Sequence, residues 1–150
     1  MKKKILLICA FIISLLSFSQ NDKSIVMNDP IIQKYFDEFI IEALTRGLDI
    51  QEQLLTEIDY IIIVPEGDKS KELASFDSTI KLIKLSNNVR IDKLILKINL
   101  YRELFHILGV PYNKGSVIMN QKNSEWFSYA AFDDIDIMKI EIDLILGEII

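Results

Sequence analysis

The sequence predicts a small α/β (α+β) domain. Three observations predict it: apolar residues at helical spacing after Asp29-Pro30, two short strand-like runs in the middle of the chain, and a second helical pattern that a glycine ends abruptly. Helix, strand, strand, helix is the resulting order, and elements of these kinds bury their apolar faces by packing in layers.

At 150 residues the chain has the length of one domain, and no repeat, low-complexity tract or linker divides it. Residues 1–19 are set apart as a secretory leader. Lys2, Lys3 and Lys4 form a basic start, Ile5 to Leu16 an apolar run, and Ser17-Phe18-Ser19 puts small residues where a signal peptidase cuts, before Gln20. The run is shorter than the roughly 18 residues of a membrane span, and no second run follows, so no integral membrane span is expected after leader cleavage. The expected location is secreted or periplasmic, with residues 20–150 as a single domain. Cys9, the chain's one cysteine, leaves with the leader, so the mature chain has neither a disulfide nor a thiolate for catalysis or metal binding. The formal net charge is −5 and becomes more negative once the three lysines are removed. No basic block remains to neutralise phosphates, which excludes a nucleic-acid partner.

Asp29 can accept the first free amide protons of a helix whose first position, Pro30, has its φ preset. Ile31, Tyr35, Phe36, Phe39, Ile40, Ala43 and Leu44 then recur at helical spacing, and Gly47 suits a left-handed stop. Ile58 to Val64 is β-branched, short and ended by Pro65 and the polar turn Glu66 to Lys69, which reads as a buried strand. Thr79 to Leu85 (TIKLIKL) alternates in part with lysine and reads as a second, more exposed strand at an edge. From Ile91 to Leu108 apolar residues stand at 91, 94, 95, 98, 101, 105 and 108, a helix that Gly109 ends and Pro111 keeps from resuming. Trp126, Phe127, Tyr129 and Phe132 read as core aromatics, Asp133 or Asp134 as a cap, and Ile135 to Leu146 as a C-terminal helix.

The stretch RELFHILGVPY, Arg102 to Tyr112, with SVIMN at Ser116 to Asn120, resembles the metzincin zinc-peptidase motif HExxHxxGxxH with its Met-turn. The resemblance is specific over residues 91–120, and the helix and two strands before it are similar in outline to small secreted members of that family. It implies a small zincin fold: an N-terminal helix, a short mixed sheet, an active-site-type helix, a Met-turn and a C-terminal helix. It sets Glu103 at the general-base position, His106 at the second metal ligand, Gly109 at the turn out of the helix and Met119 at the Met-turn. Arg102 stands where the first histidine ligand belongs, and Tyr112 where the third belongs.

These substitutions set the expected chemistry. A catalytic zinc takes three protein ligands and keeps one position open for water. A guanidinium has no lone pair to give and brings a cation to the site. His106 is the only histidine in the chain, so no other can be recruited. No cofactor is therefore expected, although active relatives hold zinc. Arg102 is expected either to pair with a carboxylate such as Glu103 or to lie solvated at the rim. His106 is expected as a core or half-buried histidine bonded to a backbone carbonyl, Tyr112 as a packing aromatic with its hydroxyl in water, and Met119 as core. The function these expectations imply is a secreted pseudopeptidase that either holds an extended peptide or protein partner in the former cleft, by strand addition at an edge strand, or has drifted. Two alternatives stay open: an active peptidase with an unorthodox site, and a small envelope interaction protein of unrelated ancestry.

Overall fold

In the computed structural model the described residues are 23–65, 72–91, 93–113, 116, 118–120 and 135–149. Helix α1 (Pro30–Thr45) starts as the sequence dictates, with the Asp29 carboxylate accepting from the Ile31 amide at 3.0 Å and Pro30 in the first turn. It ends at Gly47, whose φ of 81° lets the Leu48 amide reach Ala43 O and the Gly47 amide reach Leu44 O. Its buried stripe is Ile32, Tyr35, Phe36, Phe39, Ile40 and Ala43. The face is turned slightly from the expected one: Ile32 is core, while Ile31 is half-buried and Leu44 exposed.

Four strands form one mixed sheet: β1 (Val26–Met27), β2 (Tyr60–Ile63), β3 (Ala74–Asp77) and β4 (Leu82–Leu85), in the order β1-β2-β4-β3. β1 and β4 run parallel to β2, and β3 runs antiparallel to β4. The α/β class with a short mixed sheet thus holds. The place expected for TIKLIKL does not, because β4 lies inside the sheet between β2 and β3, and the strand beyond it is β3. Thr79 to Lys81 belong to the turn from β3, with Lys81 at a φ of 52°. Side chains opposite one another in the register share a face. Ile61 with Ile83, and Ile63 with Leu85 and Ala74, lie on the buried face; Tyr60, Leu82 and Asp77 lie on the other. Beyond the two residues of β1 the pairing is continued by a side chain: Asn28 donates from Nδ2 to Ile63 O and accepts the Ile63 amide at Oδ1, both at 2.8 Å.

A short helix, α2 (Gln51–Glu57), leads into β2, and a 3-10 turn (Asn87–Ile91) leads into α3 (Lys93–Ile107). The expected second helix, Ile91 to Leu108, thus runs as α-helix from Lys93, and Ile91 ends the 3-10 turn before it. Helix α3 packs on α1, β3 and β4. Phe39 of α1 meets Tyr101 and Phe105 of α3 edge-on, with ring centroids 4.9 Å apart in both pairs. Lys97 of α3 bonds Glu38 of α1 at 2.9 Å. From Ile98 to Phe105 every residue of α3 is buried, so this helix is surrounded rather than merely amphipathic.

Helix α4 (Ile135–Ile149) buries Ile142, Ile145 and Leu146. Arg46, just past α1, bonds Asp143 of α4 through Nε and Nη2 while its Nη1 returns to Glu42. The expected aromatics from Trp126 to Phe132, the caps at Asp133 and Asp134, and the turn Glu66 to Lys69 lie outside the described residues. Among the described residues no helix is long and apolar enough to cross a membrane.

Candidate functional site

Within the buried span of α3 runs a polar stripe at the spacing that puts side chains on one helix face: Asn99, Arg102, Glu103 and, one turn on, His106. Arg102 is 2% exposed and Glu103 1%, so both charged groups have been taken out of water. A buried ion pair persists only where hydrogen bonds satisfy the remaining polar atoms. Arg102 Nε donates to Glu103 Oε1 at 3.3 Å, and Nη2 donates to Asn99 Oδ1 at 2.6 Å. Asn99 in turn donates to Ile95 O at 2.8 Å, which fixes its amide for Arg102. Neighbours in a helix sequence do not normally face each other. Asn99 holds the far end of the guanidinium, and the near end bends to Glu103.

The chain beyond α3 closes over this pair. Gly109 has a φ of 94°, and the helix ends with the Gly109 amide on His106 O and the Val110 amide on Phe105 O, both at 3.0 Å. Val110 and Phe105 are both buried, the apolar contact that accompanies this type of stop. The turn brings Tyr112 back over the helix end. Its ring stacks on His106 at 4.3 Å between centroids and 17° between planes, and its hydroxyl reaches Glu103 Oε2 at 3.5 Å. His106 is exposed, with Nδ1 3.3 Å from Val110 O. Facing a carbonyl, Nδ1 carries the proton, which leaves Nε2 as the acceptor of the neutral ring.

Burial is the main cause pushing the Glu103 carboxyl above its ordinary value, against the opposing pull of Arg102, His106 and the Tyr112 hydroxyl. Burial, followed by the negative charge of Glu103, pushes the Tyr112 phenol up to about 12. Tyr112 therefore keeps its proton at neutral pH.

The chain matches no family model, no curated protein and no solved structure. The site has to be judged by its own chemistry. Of the residues expected from sequence, Arg102, Glu103, His106 and Tyr112 form one connected cluster, and Gly109 makes the turn that assembles it. Met119 is 1% exposed and stands apart from that cluster, in a crevice of about 220 Å³ with Val110, Pro111, Ser116 and Ile145 among its walls. Its turn is pinned: the Met119 amide bonds Ser116 Oγ at 2.8 Å, the Asn113 amide bonds Met119 O at 3.0 Å, and the Ile118 amide bonds Glu141 of α4 at 2.7 Å.

Three expectations need correcting. Arg102 pairs with Glu103, one of its two expected placements, and is not solvated at the rim, because Asn99 and Glu103 give it an interior partner on each side. His106 is exposed rather than in the core, because it sits on the last turn of α3, past the buried span, while the expected contact with a backbone carbonyl is made to Val110 O. The Tyr112 hydroxyl is turned inward to Glu103 instead of resting in solvent. Sequence reasoning passed over Asn99, although an asparagine three residues before an arginine, in a helical run rich in isoleucine and leucine, was a readable sign.

It also missed the cavity of about 350 Å³ beside the cluster, lined by Glu57, Phe76, Ser78, His106, Ile107 and Tyr112. These residues come from α2, β3 with its turn, α3 and the returning chain. Only folding brings them together.

The residues present do not fit a catalytic zinc. Among the described residues no group of three or more His, Cys, Asp or Glu comes together, and of the three positions that the motif resemblance would make ligands one holds a buried cation and one a protonated phenol. The carboxylate at the general-base position is engaged by Arg102 and Tyr112. What the arrangement offers is a recess beside an edge strand, joined to a buried ion pair through Tyr112.

Proposed function

We propose that this protein is a secreted, catalytically inactive relative of the metzincin peptidases that keeps the cleft as a binding site for an extended peptide segment. One observation carries the proposal: Arg102, at the first ligand position, is buried and bonded to Glu103 and Asn99, so a cation takes the place of a metal ligand and occupies the would-be base. The binding half draws support from β3. This strand has β4 as its one strand neighbour among the described residues. Ser86 donates to Leu73 O at 2.9 Å, which makes that pair a hydrogen-bonded one. With the alternation of an antiparallel ladder, Ser75 and Asp77 face β4, while Ala74 and Phe76 turn their amides and carbonyls outward. Phe76 also lines the recess, so a strand added there would run past it.

The test is the zinc content of the chain from Gln20 onward, purified without chelator, beside an Arg102→His, Tyr112→His double variant whose folding is checked by circular dichroism. The native protein is expected to hold far less than one zinc per chain, and the folded double variant about one. Stoichiometric zinc in the native protein, with chelator-sensitive proteolysis, would overturn the proposal in favour of an active peptidase. A folded double variant that takes up no zinc would remove the metzincin ancestry.

A further inference from the structure

We infer that the recess at the end of α3 takes the basic side chain, lysine or arginine, of a peptide paired on β3; this rests on the proposed role of the cleft in peptide binding. The walls of the recess are rich in acceptors and poor in donors. Glu57 is exposed at the end of α2, and no ion pair among the described residues engages it. The lysines at this end of α2 are engaged by other groups than Glu57: Lys81 bonds Thr56 O at 2.7 Å, and Lys23 pairs with Asp59 at 2.7 Å and reaches Thr56 O at 3.4 Å. In its neutral form His106, with its proton on the Val110 side, offers Nε2 as an acceptor. The stacked rings of His106 and Tyr112, with Phe76, give the aromatic surface over which an ammonium or guanidinium is attracted. Phe76 and Ile107 give the apolar wall that the aliphatic stem of such a side chain covers. Arg102 is buried and paired with Glu103 and Asn99, so it does not compete for Glu57. A carboxylate entering the recess would meet Glu57, and among its walls no lysine or arginine to pair with.

The experiment uses the full mature chain and labelled blocked peptides of alternating threonine and valine, with one central lysine, arginine, norleucine, citrulline or glutamate. Affinity is read by fluorescence anisotropy. The lysine and arginine peptides are expected to bind at least about tenfold more tightly than the norleucine and citrulline peptides, and the glutamate peptide most weakly. Glu57→Gln should remove the preference and leave the norleucine peptide unchanged. Equal binding of all peptides, or a preference that survives Glu57→Gln, would overturn the inference while leaving the peptide-binding role in place. No binding by any peptide would remove both. Since Glu57 is exposed, its substitution leaves the fold intact, and each outcome is decisive.

Discussion

Glu103 is the residue on which the site's chemistry turns. It lies inside the protein with a guanidinium on one oxygen and a phenol near the other, and burial still prevails, holding its carboxyl above the ordinary 4.5. The folded state thus binds this proton more tightly than the unfolded chain. The sign of the pH dependence follows: the contribution to stability is complete below about 4.5 and is lost as pH rises through the raised folded value. Glu103→Gln keeps the shape and removes the titration, so its stability should vary less with pH over that window than the wild type's. Urea denaturation across a pH series measures this, and parallel curves for the two proteins would contradict it. The pairing partner of Arg102 was open to sequence reading, since a buried guanidinium beside a glutamate has few other choices. The depth of the pair was not, because it depends on how the chain returns through Tyr112.

At the scale of elements, the stop of α3 is the part that sequence described best. A glycine followed two residues later by proline can only end a helix, and the left-handed φ of Gly109 is the form this takes. A methyl group at Gly109 would meet no atom within 4 Å, so Gly109→Ala isolates the backbone cost. The loss should be about 1–2 kcal/mol, measured by chemical denaturation. It should also release Tyr112 from His106, visible as a change in tyrosine environment by nuclear magnetic resonance. A loss well under 1 kcal/mol would mean that the turn rearranges freely. Helix α2 and strands β1 and β3 were the illegible elements. Each is short: α2 buries one leucine, Leu54, along its length, and β1 has two residues. Periodicity over so few residues carries no signal, and their places are set by the partners they meet.

For the molecule as a whole, the layering was legible because long apolar patterns report burial; the strand order was not, because TIKLIKL reads the same at an edge or one strand inside it. The attachment of α4 was equally hidden, since Arg46 and Asp143 lie far apart in the chain. That bridge is partly exposed, with Asp143 54% accessible, so Arg46→Ala should cost under about 1 kcal/mol in global stability. Amide exchange in α4 should nonetheless accelerate before that of α1 or α3, because the apolar contacts of Ile142, Ile145 and Leu146 would then hold it with less help. Uniform acceleration across all helices would show that α4 unfolds only with the rest. The Asn28 side chain, doubling as a peptide group against Ile63, has a consequence for self-association. It occupies β2 where the two residues of β1 give out, so the β1 side presents only a very short edge. A sheet with two long open ends can stack copies without limit, whereas one with a single usable end stops at a pair. Asn28 thereby acts as a chain terminator on that side: among the described residues β3 is the edge open to a second copy, and pairing β3 with β3 leaves only the short β1 edges for further growth.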